Sequence, residues 1–167
     1  NFEEYQEKVL APYVLQTQIS EIIETDQNLH KAVREKAEGV LAEIKAGADF
    51  AEKAKEYGAD GTAETGGDLG WFGKDMMVPQ FETAAFALEA GKLRDELVET
   101  SFGYHILRVD EKKFDTLQGG EEKEDLVKAS HILFAFPTLD SYLDNLAKNS
   151  DIKLYIKASN PFEGLVK

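Results

Sequence analysis

Apolar positions along this chain recur with two different periods, and the change from one to the other divides it. Leu15, Ile19, Ile22 and Ile23 fall at i, i+4, i+7 and i+8, the spacing of one helix face, and Pro12 suits the first helical position. Phe2, Tyr5, Val9 and Leu10 predict a shorter helix before it, ending near Ala11. The polar run 25–28 separates these from a longer helix over 31–46, in which Val33, Ala37, Val40, Leu41 and Ile44 make one stripe and Gly47 ends it. Asp49 predicts the cap of a short helix, with Glu52 as its capping partner and Phe50, Ala54 and Tyr57 facing inward. Five glycines within 58–70 predict a loop, and Pro79 opens another helix over 81–88, closed by Gly91. The period then shortens to two. Strands are predicted over 97–100 and 104–109, joined by a tight turn at Ser101-Phe102-Gly103. Residues 110–126 are charged and carry few apolar side chains, which predicts an exposed linker. A strand over 127–134, a helix near 138–148 and a strand over 152–157 complete the chain; in the last, Ile152, Leu154 and Ile156 alternate with Lys153, Tyr155 and Lys157. The class is α+β: an antiparallel sheet of about four strands with three to four covering helices.

Composition narrows the chemistry. The 167 residues include no cysteine, so disulfides, thiolate nucleophiles and cysteine-ligated metals are excluded. The three histidines, His30, His105 and His131, do not fall at metal-ligand spacing, and no metal or cofactor is expected. Asp60, Glu64 and Asp68 lack the ligand order of a calcium loop. A net charge of -13 argues against nucleic acid or an anionic membrane as partner, because neutralising phosphate takes clustered Lys and Arg. No apolar run approaches the roughly 20 residues that cross a bilayer. The chain starts at Asn1 without a signal peptide, as a processed or trimmed piece of something longer would.

Four tracts carry a resemblance: DFAEKAKEYG (49–58), GGDLGWF (66–72), MVPQFETAAFAL (77–88) and TSFGYHILRV (100–109). In this order and at this spacing they resemble the parvulin-type peptidyl-prolyl isomerases, and most of all the bacterial extracytoplasmic foldases of the SurA and PrsA kind. The resemblance implies an FKBP-like superfold. One departure stands out. Parvulins open with a strand of the form A-x-H-I-L, whereas the corresponding region here, 13–23, has helical spacing and no histidine. The missing strand turns up downstream, as Ala129-Ser130-His131-Ile132-Leu133-Phe134. Only 33 residues follow Phe134, too few for a second domain. The expectation is therefore a permuted order, in which the C-terminal strand fills the first strand's slot, either in its own sheet or in that of a strand-swapped homodimer. Alternation agrees, since Val127, Ala129, His131 and Leu133 share one face, as do His105, Leu107 and Val109.

Mapped residue by residue, the resemblance implies a proline cup of Leu69, Met77 and Phe81, flanked by Phe102. It implies a polar base of Thr100, His105 and His131, with Asp60 beside the reacting amide. Taken singly, each has a plainer reading: buried histidines are often satisfied core residues, and Met77 and Phe81 at i, i+4 are core residues of a helix. Phosphate-dependent parvulins need clustered Arg and Lys; with only Arg34, Arg94 and Arg108, this chain is expected to take plain X–Pro segments of unfolded or partly folded polypeptides. The expected organisation is an N-terminal helical segment at 1–28, the remnant or neighbour of a chaperone module, and an isomerase domain at 29–134. The domain includes the exposed linker at 110–126 and the completing strand at 127–134, and a helix–strand extension follows at 135–167. The expected location is extracytoplasmic, with a membrane tether through a missing N-terminal region as one arrangement. The alternative activity is a catalytically weak module that binds clients on the same frame.

Overall fold

A stripe of small and branched side chains organises the first named helix. The computed structural model describes residues 26–116 and 123–149, together with residues 13, 16, 17, 19–21 and 23, and the latter seven are helical. Helix α1 (Gln27–Lys45) buries Ala37, Val40 and Leu41. Helix α2 (Phe50–Tyr57) is capped as expected: Asp49 Oδ1 accepts the Glu52 N–H at 2.8 Å, a contact that stabilises a helix start by about 1 kcal/mol. Strand β1 (Asp68–Phe72), helix α3 (Pro79–Ala87, with Pro79 at its start), and strands β2 (Lys92–Leu93) and β3 (Val98–Thr100) come next. Two long strands, β4 (Gly103–Thr116) and β5 (Lys123–Ala135), and helix α4 (Leu139–Asn149) follow. The predicted helix over residues 2–11 and the predicted strand over 152–157 lie outside the described residues.

The sheet is antiparallel throughout, in the order β1-β5-β4-β2, with β3 also pairing β4. It has five strands, where the sequence suggested about four. β5, the ASHILF strand, lies inside the sheet of its own chain, between β1 and β4. Its odd and even positions serve different layers. Ile132 and Phe134, with Tyr104 and Ile106 of β4, pack against Ala37, Val40 and Leu41 of α1 and Phe50 and Ala54 of α2. Val127 and Ala129, with Leu107 and Val109, pack on the other face against Phe81, Ala84 and Ala85 of α3. This layering belongs to the compact unit His30–Phe136; residues 1–29 and 137–167 form a second unit, to which α4 belongs.

Three sequence expectations are corrected. The stretch 110–126 is not a linker where it is described: Lys112 pairs with Val127, Phe114 with Asp125 and Thr116 with Lys123, so β4 and β5 form a continuous ribbon, and β5 begins at Lys123 rather than 127. Backbone ladder bonds hold this mostly exposed ribbon, in which Leu126 is the buried side chain, and such bonds leave no apolar alternation in the sequence. The glycine-rich stretch ends in a strand, β1, because β5 offers it a partner. The two-residue β2 is too short to show a period.

Candidate active site

His105 and His131 are placed by sheet register. His105 lies opposite Leu133 and His131 opposite Leu107, so the imidazoles are diagonal neighbours on the face that α3 covers. Their Nδ1 atoms are 3.0 Å apart. His105 Nε2 lies 2.8 Å from Thr100 Oγ1, which in turn accepts the Phe102 N–H at 3.1 Å. At the other end His131 Nε2 lies 2.9 Å from Asp60 Oδ2. The ring of Phe81 stands edge-on to both imidazoles, with centroids 5.3 and 5.5 Å away. Thr100, His105 and His131 are buried, and the Asp60 side chain is 27% exposed, so the line opens to solvent at the carboxylate.

The loop carrying Asp60 is held on β5 at two points, Leu133 and His131 itself. Ala59 N–H donates to Leu133 O at 2.9 Å, and His131 N–H donates to Gly67 O at 2.8 Å. Gly67 adopts φ +84°, and a Cβ there would run into the carbonyl oxygen of His131, so only glycine allows the loop this close.

Hydrogen-bond chemistry gives the line a direction. Burial alone would raise the Asp60 carboxyl, but the hydroxyl and N–H of Thr62 and the nearby imidazoles outweigh it and hold it below the ordinary carboxylate value. Asp60 is therefore an anion at neutral pH and accepts a hydrogen bond from His131 Nε2–H. That leaves His131 Nδ1 as an acceptor, so His105 Nδ1 carries a proton and donates to it. His105 Nε2 then accepts from the Thr100 hydroxyl. Burial, together with the neighbouring His131, lowers His105 to about 4 against the pull of Asp60. Burial also lowers His131, again opposed by Asp60. Both rings are neutral at pH 7, as this direction requires.

The apolar residues gather less tightly. Phe81 is buried, and Leu69 and Met77 pack, partly buried, against the cluster that contains it. Phe102 is 58% exposed at the β3–β4 turn and joins the line through its backbone alone. Thr62 was missed from sequence: its N–H and hydroxyl reach Asp60 Oδ1 at 3.0 and 2.6 Å, and its Oγ1 lies 3.1 Å from His131 Nε2. The available signal was the Asp-x-Thr spacing of an Asx turn. A recess of about 320 Å³ lined by Phe86, Lys112, Lys113, Asp125, Leu126 and Val127 shares no residue with the line. Among the described residues no group of three His, Asp or Glu could hold a metal ion, and no helix is long and apolar enough to cross a membrane.

The family model described as the PPIC-type PPIase domain matches residues 6–113. The chain belongs to that family. The matched segment of the PPIC-type domain holds Asp60, Leu69, Met77, Phe81, Thr100, Phe102 and His105, and it ends before β5, so His131 lies beyond it. Foldase protein PrsA of Halalkalibacterium halodurans is 41% identical over 132 residues, which is 78% of this chain and 37% of that protein. Chaperone SurA of Cupriavidus pinatubonensis is 36% identical over 121 residues, 71% of this chain and 24% of that protein. The crystal structure of the peptidylprolyl isomerase PrsA from Bacillus anthracis, 27% identical, aligns with 70% of this chain and 44% of its own, at a TM-score of 0.42. The chain thus spans less than half the length of these relatives.

The buried histidines of this PPIC-type domain set an acid sensitivity. Below pH about 6.5 an unfolded chain protonates its imidazoles, whereas folded His105 resists until about pH 4. The unfolded state then binds more protons, so stability falls as pH falls through that window. His105 alone is expected to remove about 2 kcal/mol between pH 7.5 and 5. Urea unfolding at the two pH values measures it; equal midpoints would mean that the imidazole charges freely in the fold.

Proposed function

We propose that this chain is a peptidyl-prolyl isomerase that turns plain X–Pro bonds in unfolded or partly folded polypeptides, with β5 in the slot of the family's first strand. The reading includes the permuted, parvulin-like order and a site of Asp60, Thr100, His105 and His131 beneath a cup of Leu69, Met77, Phe81 and Phe102. The observation that carries it is the hydrogen-bonded line from Thr100 through both imidazoles to Asp60. It is drawn from β3, β4, β5 and the loop after α2, and the Phe81 ring closes it on one side.

The chemistry asks for no bond to break. Resonance opposes rotation by about 18–20 kcal/mol in an ordinary amide, and uncatalysed X–Pro isomerisation takes tens to hundreds of seconds. Twisting ends the conjugation, so the carbonyl oxygen loses negative charge and the nitrogen regains its lone pair. An Asp60 anion beside that oxygen disfavours the planar, polarised amide more than the twisted one, which lowers the barrier from the bound state by raising the ground state more than the transition state. The apolar cup holds the proline ring while the rest of the peptide turns. The neutral, fixed histidines keep the carboxylate in place and need not exchange protons with the substrate.

Relatives named foldase and chaperone fit clients that are unfolded proteins, and an extracytoplasmic site of action belongs to the same reading. A chain free of cysteine suits that environment without requiring it. The test is an isomerisation assay on a proline-containing tetrapeptide. Catalysis by the intact chain is expected, with Met77→Ala lowering kcat/KM about ten- to a hundredfold through lost contact with the proline ring, at little cost to folding. An unchanged rate in the variant removes Met77 from the cup. No catalysis by the intact chain would leave a client-binding module as the function.

A further inference from the structure

Thr62 is fixed twice over. Its carbonyl oxygen accepts from Thr65 N–H at 3.0 Å, from Gly67 N–H at 2.8 Å and from the Thr65 hydroxyl at 2.9 Å, so its backbone is held without help from its side chain. The side chain is left to face the site. At 2.6 Å from Asp60 Oδ1 the hydroxyl donates its single proton to the carboxylate. Having donated that proton, Oγ1 has only lone pairs to offer His131 Nε2 at 3.1 Å.

We propose that Thr62 is a positioning residue that orients the Asp60 carboxylate and dictates the proton arrangement of the whole histidine line. Two groups then require a proton on His131 Nε2: Asp60 Oδ2 at 2.9 Å and Thr62 Oγ1 at 3.1 Å. The demand passes along the line, because a protonated Nε2 makes His131 Nδ1 an acceptor and obliges His105 to donate to it. Without the hydroxyl, Asp60 keeps the Thr62 N–H at 3.0 Å on Oδ1 and the His131 ring at 2.9 Å on Oδ2, but loses the shortest bond that fixes the orientation of its carboxylate. His131 Nε2 also loses one of its two acceptors, so the preference of the two rings for one arrangement weakens. The hydrogen bonds of the Thr62 side chain go to Asp60 and His131, so its influence on turnover passes through them.

Thr62→Val keeps the branched side chain and the backbone and removes only the hydrogen-bonding oxygen; Thr62→Ser restores it. Nitrogen-15 shifts of the imidazoles in the full chain read the arrangement directly. The native chain is expected to show His131 protonated on Nε2 and His105 on Nδ1. Thr62→Val is expected to show mixed forms, and Thr62→Ser to return to the native pattern. The kinetic arm rests on the isomerase reading: kcat is expected to fall about tenfold in Thr62→Val, the equivalent of one hydrogen bond to a charged group, with KM within twofold of native. Native shifts in Thr62→Val, or a Thr62→Ser variant no closer to native than Thr62→Val, would overturn the proposal. Should Thr62→Val not fold, Thr62→Ala carries the same comparison. If the native chain turns over no peptide, the isomerase reading fails and the nitrogen shifts alone decide the role of Thr62.

Discussion

A chain cut after Leu126 is expected to lose cooperative folding altogether. The cut removes β5 from Val127 onward, and with it every pairing to β1 and all of the β4 ladder except the four pairs that join 113–116 to 123–126. Val127, Ile132 and Phe134 are each at least 96% buried, and their burial contributes together roughly 5–9 kcal/mol, against a total domain stability of about 5–15. The loop at 58–67 loses its two anchors on β5 at the same time. Denaturant titration followed by Trp71 fluorescence should show no sigmoidal transition. A companion cut after Phe136, which spares the whole His30–Phe136 unit, should keep one. A synthetic peptide covering 123–136 should restore the transition to the shorter chain. A native-like midpoint in the chain that ends at Leu126 would place β5 outside the fold.

Gly67→Ala is expected to be the most damaging single substitution in the site loop. Its φ of +84° costs a residue with a Cβ about 1–2 kcal/mol, and the new methyl would have to displace the His131 carbonyl. Moving that carbonyl also strains the His131 N–H bond to Gly67 O, made at 2.8 Å by the same residue. With overpacking of about 1–3 kcal/mol added, the expected loss is about 4 kcal/mol. Chemical denaturation measures it, and a loss below about 1 kcal/mol would show that the loop can lift away from β5 at little cost. Because His131 moves with its carbonyl, the assay on the folded fraction should fall as well.

Much of this was legible in the sequence, and for identifiable reasons. The α1 stripe, the Asp49 cap, Pro79 at the start of α3 and the turn at 101–103 are local signals, each set by neighbours within about a helical turn. What escaped depends on distant partners. β1 contains Gly70 at φ +68° and is a strand only because β5 pairs with it. The 110–116 and 123–126 stretches are held by each other's backbone, so their polar composition read as linker. The site divided the same way. Asp60, Thr100, His105 and His131 came from motif positions, and the geometry joins them in one line. Thr62 meets His131 across 69 positions of sequence, through a loop whose docking no local pattern encodes.

The position of β5 also orders events in time. A polypeptide emerging from its N-terminus exposes α1, α2, β1, α3 and β4 before the strand that joins β1 to β4 has been made. Until then the sheet is two unjoined pieces, the Asp60 loop has no seat, and the line from Thr100 ends at His105. The last strand to arrive closes the core and supplies the imidazole that links the two ends. A half-made or proteolytically shortened copy therefore lacks the line as well as the fold, and the appearance of the line reports that the sheet is closed.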